Sequence, residues 1–134
     1  MNLADVMEQI SDQAATISGL NCFPYPPDSI SPPTFEVNLP ESIDFDQTYV
    51  RGTDAVTLTA NVLVGRASHR AAVLNLAPYV AGSGSSSIKA VLEAGTYTAF
   101  DTIHVSQVDF AIFPYGAVEY LGAQFTINIT GSGS

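Results

Sequence analysis

The segment YLGAQFTINIT (120–130) alternates without a break: Leu121, Ala123, Phe125, Ile127 and Ile129 are apolar, and the residues between them are small or polar. A period of two puts all five apolar side chains on one side of an extended chain and scatters them around a helix. The segment therefore predicts a half-buried strand. IHVSQVDFAIF (103–113) behaves similarly, with Ile103 and Val105 in one phase and Val108, Phe110 and Ile112 in the other. The phase slip near Ser106–Gln107 predicts a β-bulge. VTLTANVLVG (56–65) sets Leu58, Ala60, Val62 and Val64 against Thr57, Thr59, Asn61 and Leu63, and TFEVNL (34–39) alternates Phe35, Val37 and Leu39 with polar neighbours. PYGAVE supplies a turn between the last two strands.

Apolar residues at helical spacing mark the other layer. Leu3, Val6, Met7, Ile10, Ala14 and Ile17 form one stripe, with Asn2 as N-cap, Asp5 and Glu8 near the positive end of the helix, and Gly19 as its stop. A second helix is expected over HRAAVLNLAPYVAG (69–82), capped by Ser68, with Ala72, Val73, Leu76 and Val80 inward and Pro78 as a kink or end. A third follows in AGSGSSSIKAVLEAG (81–95), with Ser85 or Ser86 as N-cap, Ile88, Val91 and Leu92 as its stripe, and Gly95 as its stop.

Between the first helix and the strands lies LNCFPYPPDSISPPT (20–34), where Pro24, Pro26, Pro27, Pro32 and Pro33 forbid a helix interior and a central strand. A short strand near Asn21–Phe23 leading into an extended surface arm is expected there. The resulting order predicts an α+β fold, a mostly antiparallel sheet of about four or five strands with helices packed on one face. Residues 1–130 are expected to form a single domain, and 131–134 (GSGS) a flexible tail. The second sheet face would carry Thr57, Thr59, Asn61, Gln124, Thr126 and Asn128, polar but uncharged, either wet or paired with a neighbouring subunit.

Composition narrows the function. The 134 residues are 46% hydrophobic and only 13% charged, a balance that argues against disorder and suggests apolar surface hidden against partners. Thirteen acidic residues against four basic give a net charge of −9, so binding to a phosphate backbone is not expected. The acidic start MNLADVMEQISDQ lacks the basic region of a signal peptide, and no apolar run reaches the roughly 18 residues of a membrane span. A protein made and assembled inside a cell is expected.

No motif in the sequence carries recognisable catalytic or ligand-binding chemistry. The glycine–serine run 81–87 resembles a phosphate cradle, but a P-loop follows a strand and places its lysine inside the loop. Here a helix precedes it and Lys89 comes a turn too late. There is no G-x-S-x-G elbow. His69 and His104 have no recognisable catalytic partner, and Asp44 and Asp46 around Phe45 lack a surrounding oxygen-ligand pattern. The lone Cys22 reads as a small buried hydrophobe rather than a nucleophile. Asn128-Ile-Thr130 matches a glycosylation sequon, which has no meaning without a secretory route. No catalytic residue, cofactor or metal is expected.

The runs 25–72 and 82–110 resemble the tail terminator proteins of long, non-contractile-tailed bacteriophages, especially those of actinobacteria. Tyr-Pro-Pro at 25–27, DQTYVRGTD at 46–54 and VLEAGTYTAFD at 91–101 carry the likeness, which covers nearly the whole chain. Arg51, Gly52 and Asp54 match the family's Arg-Gly-x-Asp group, while Pro78 stands where a better helix former is expected. The resemblance implies a homohexameric ring in the virion that caps the tail tube, stops its polymerisation and joins the tail to the head-side connector. Its partners would be other copies of itself, the tail tube protein and the connector protein, with DNA passing through the channel without specific binding. A head-completion or connector protein, or a tail tube subunit, is the alternative, with a small cytosolic enzyme a more distant one. The long connection PESIDFDQTYVRGTDA (40–55) is the expected assembly surface, through Phe45, Tyr49, Arg51 and Asp54, with Tyr25 on the proline-rich arm.

Overall fold

The computed structural model describes residues 2–25, 33–40, 43–44, 53–66, 71–115 and 117–132. Asn2 opens the first helix, α1 (Leu3–Ala14), by accepting the Asp5 N–H on its side-chain oxygen at 3.2 Å. Val6, Met7, Ile10 and Ala14 are buried, as their spacing predicts. The helix ends at Ala15, earlier than Gly19 suggested. Ile17 is still buried in the turn that follows, and Gly19 takes a positive φ of 82° to swing the chain into the sheet.

The sheet has six strands. β1 (Asn21–Phe23) runs parallel to β2 (Thr34–Val37), and β2 is antiparallel to β4 (Thr53–Arg66). The two-residue β3 (Ile43–Asp44) pairs with Val56 and Ala55 of β4. β6 (Val118–Ser132) lies between β4 and β5 (Thr102–Tyr115), so the main path is β1-β2-β4-β6-β5. β5 and β6 form a hairpin closing at Tyr115 and Val118, and the register slips between Val105 and Gln107 where a bulge was expected. A second slip falls between Leu63 and Gly65 of β4.

One expectation needs correcting here. Gly131 and Ser132 pair with Asp54 and Thr53, so the first half of the supposed tail is strand. Glycine and serine carry little pattern of their own; the backbone of β4, which starts inside the presumed 40–55 connection, holds them.

Phe35, Val37, Leu58, Ala60, Val62, Phe125, Ile127 and Ile129 line the buried face and form one core with the inner sides of the helices. The fold is thus α+β, with a mostly antiparallel sheet and helices packed on it, as the patterns predict. α2 (Ala71–Val80) packs on β4 and β6, and α3 (Ile88–Ala94) on β5 and α1. Ser87, not Ser85 or Ser86, caps α3: its Oγ accepts the Ala90 N–H at 3.1 Å and donates to the Ala81 carbonyl at 2.5 Å. The serine that wins is the one whose hydroxyl can serve both helices.

Side-chain amides stitch the helix layer to the chain after α3. The Gln9 side-chain oxygen accepts the N–H groups of Thr98 and Ala99 at 3.0 and 3.1 Å, and Gln13 donates to the Val91 carbonyl at 2.9 Å. The Tyr97 hydroxyl donates to the Leu92 carbonyl at 2.6 Å, and its ring stacks on Phe100 at 4.4 Å. Gly122 has no room for a side chain, because a Cβ there would collide with the Val62 carbonyl and the Phe113 ring.

Candidate assembly interface

Covering the sheet leaves apolar surface over. The α2 sequence AAVLNLAPYV has no charged residue and Asn75 as its one amide, so it has no polar side to turn toward water. Leu76 is buried and Tyr79 and Val80 are partly covered, but Val73 is 61% exposed and Leu74 76% exposed. The expectation that Val73 faces inward is therefore corrected. In a helix apolar all round, periodicity cannot choose the buried side; the β4–β6 surface chose the one centred on Leu76.

The second such place is β5. Its outer edge pairs with no strand among the described residues, and it ends the sheet. Beyond the bulge, Val108, Phe110 and Ile112 face the helix side, opposite Phe125, Ala123 and Leu121 of β6. Phe110 is 62% and Ile112 54% exposed. The helices do not reach them because α3 is fixed at the other end of the strand. There Glu93 Oε2 accepts the Val105 N–H at 2.9 Å and Lys89 Nζ at 2.6 Å, Lys89 also donates to the Val105 carbonyl at 3.1 Å, and His104 Nδ1 lies 3.2 Å from the same Glu93 oxygen. Burial pushes the Glu93 carboxyl up, but the hydrogen bonds from Lys89 and Val105 and the neighbouring positive charge outweigh it and hold the group below the ordinary carboxylate value. Lys89 thus ties α3 to β5.

The opposite sheet face is polar, as expected. Thr57 donates to Asn128, Asn128 donates to Ser106, Asn38 donates to Thr59, and Asn61 donates to Glu36 at 3.1 Å. Thr57, Thr59 and Asn61 floor an open groove of about 660 Å³ bounded by Asn38, Leu39, Pro40, Gln124 and Thr126. Asn61 Oδ1 is buried there without a hydrogen-bond donor.

Of the residues expected at an assembly interface, Tyr25 follows β1 and is 64% exposed. Asp54 lies in β4 opposite Gly131 and is only 6% exposed. Phe45, Tyr49 and Arg51 lie outside the described residues. Tyr25 and Asp54 are not brought together, since β2 separates their strands. Sequence reasoning placed Val73 and Leu39 inward, yet both are exposed, Leu39 at 70% beyond the end of β2, and it singled out none of Leu74, Phe110 and Ile112 as surface. For α2 the missing polar side was a legible warning; for β5 nothing in the pattern distinguishes an edge strand from an inner one.

Burial, with Asp12 adding to it, pushes the Cys22 thiol up to about 11, which leaves it protonated and a poor nucleophile at neutral pH. Among the described residues, no group of His, Cys, Asp or Glu is placed to hold a metal ion, and no helix is long and apolar enough to cross a membrane. No model of a known protein family and no curated protein matches the chain.

Proposed function

We propose that the protein is a self-assembling virion component, the tail terminator of a long, non-contractile phage tail. The observation that carries this reading is the uncharged apolar surface left on α2 and β5, where Val73, Leu74, Phe110 and Ile112 are exposed. A small domain gains nothing from apolar surface in water, and such patches mark association sites. The resemblance of 25–72 and 82–110 to terminators supplies the specific role: a ring at the head–tail junction, built from copies of the chain, that ends tube growth and receives the connector. A net charge of −9 suits a channel that DNA must traverse without being held. In this reading the protein is no enzyme and needs no cofactor.

Complementation tests it. A phage lacking its terminator is supplied with this protein, and tail length and head attachment are scored by electron microscopy. Tails of normal length joined to heads support the reading. Overlong headless tails overturn it, and binding to the portal side alone reassigns the protein to the connector.

A further inference from the structure

We infer that the groove on the polar sheet face binds a primary ammonium group carried on an aliphatic stem. The site uses none of the residues that carry the assembly reading above and does not depend on it. β2 ends at Val37, and the Asn38 N–H donates to the Thr59 carbonyl at 2.8 Å. Leu39 and Pro40 follow and form an aliphatic wall, with Leu39 70% exposed. Thr57, Thr59 and Asn61 of β4 and Gln124 and Thr126 of β6 complete the lining, which has no charged side chain among the described residues.

The two amides at this wall spend their donors on the protein and keep their oxygens. Asn61, only 6% exposed, donates through Nδ2 to Glu36 Oε1 at 3.1 Å, with Asn38 Oδ1 at 3.5 Å from the same nitrogen. Turning the Asn61 amide over would set its oxygen against the Glu36 oxygen, acceptor against acceptor, so its orientation is fixed. Asn38 Nδ2 in turn donates to Thr59 Oγ1 at 3.0 Å. What is left over is Asn61 Oδ1, buried and without a donor, and Asn38 Oδ1, whose contact with Asn61 is at the limit of hydrogen-bond length. Buried acceptors without a donor are rare because they are costly, so this one points to a donor brought from outside the chain.

Three properties select an alkylammonium as that donor. It carries three N–H groups and no acceptor that would be left facing the two oxygens. A chain of net charge −9 draws a cation and turns an anion away. The groove of about 660 Å³ has room for a stem, whose methylenes would lie on Leu39 and Pro40 as lysine stems lie on apolar surface. A free amine and a lysine side chain of another protein present the same group.

The test titrates the full chain with butylammonium chloride, with 1-butanol as its uncharged equivalent, and with potassium chloride at matching ionic strength. Melting temperature and the side-chain amide NMR signals of Asn38 and Asn61 are the readouts. Butylammonium should raise the melting temperature saturably and move both signals, and the other two should do neither. Asn38→Asp places a charge beside the ammonium at a half-buried position, where the Thr59 hydroxyl can donate instead of accept. It should tighten butylammonium binding about tenfold. N-acetyl-lysine methylamide separates the two sources: tighter binding than butylammonium assigns the groove to a lysine of another protein, weaker binding to a free amine. Equal effects from butanol overturn the inference, because the groove then takes a neutral ligand. Equal effects from potassium chloride overturn it as charge screening. No effect in any arm, or an Asn38→Asp chain that folds and binds no tighter, overturns it too and leaves Asn61 to a water molecule.

Discussion

Glu93 of α3 accepts the backbone N–H of Val105 in β5 at 2.9 Å, one residue before the register slip in that strand. A helix carboxylate thus pins an edge strand where its own ladder is interrupted. Because partners hold this carboxyl below its ordinary value of 4.5, its contribution to stability is full above that pH. It is lost as pH falls through the lower folded value. Glu93→Gln should cost about 0.5–1 kcal/mol at neutral pH, the range for a partly exposed pair. Melting temperatures of the two proteins should converge below about pH 4. A difference that persists undiminished at pH 3 would refute the linkage.

The alkaline side has the opposite sign. Burial raises Cys22 from 9.0 to about 11 and Tyr97 from 10.0 to about 12. The folded chain therefore holds these protons after the unfolded chain has released them, and stability should fall as pH climbs from 9 toward 12. Cys22→Ala should flatten the part of the fall that begins near 9. Thermal melts at intervals from pH 8 to 11 read this directly, and an identical slope in both proteins would count against it.

Phe125 sits in the best-patterned strand, paired with Ala60 and Val108 and 2% exposed. Phe125→Ala should destabilise the subunit by about 3–5 kcal/mol, through lost transfer energy and the cavity left behind. Urea denaturation is the check, with the midpoint falling and the slope unchanged. A midpoint equal to wild type would mean that Phe125 is not part of the core, since collapse of the neighbours relieves only the cavity.

If the chain assembles as proposed, the planar fork of Arg51 in the 40–55 segment suits a carboxylate on a neighbouring acidic copy. Arg51→Glu should leave a folded single copy that cannot cap tubes, with overlong tails in a complemented phage. Arg51→Lys keeps the charge, loses the paired geometry and should be intermediate. Normal tails and titre from the glutamate variant would remove this segment from the assembly surface.

ATP and GTP should not shift the melting temperature at millimolar concentration, because Lys89 is bound to Glu93 and the Val105 carbonyl and Ser87 is occupied as a cap. A saturable shift abolished by Lys89→Ala would show that the glycine–serine turn binds phosphate after all.

Local pattern alone determined most of the elements. Alternation in 56–65, 103–113 and 120–130 predicts long half-buried strands, the slip at Ser106–Gln107 predicts the bulge, and Asn2 and Gly95 mark helix ends where the structure has them. Each of these is written in the covalent order of neighbouring side chains. Tertiary structure decided who stands next to whom. That β6 lies between β4 and β5, that β1 runs parallel to β2, and that two residues at 43–44 add a strand depend on backbone hydrogen bonds, which every residue type can make. The surface was decided at the same level. Val73 and Phe110 are as apolar as Leu76 and Phe125; the side of α2 that meets the sheet left Val73 in water and buried Leu76, and the reach of the helices over the sheet did the same for Phe110 and Phe125. Periodicity tells which face a side chain shares, but whether that face is covered depends on how many elements the chain has to lay over it.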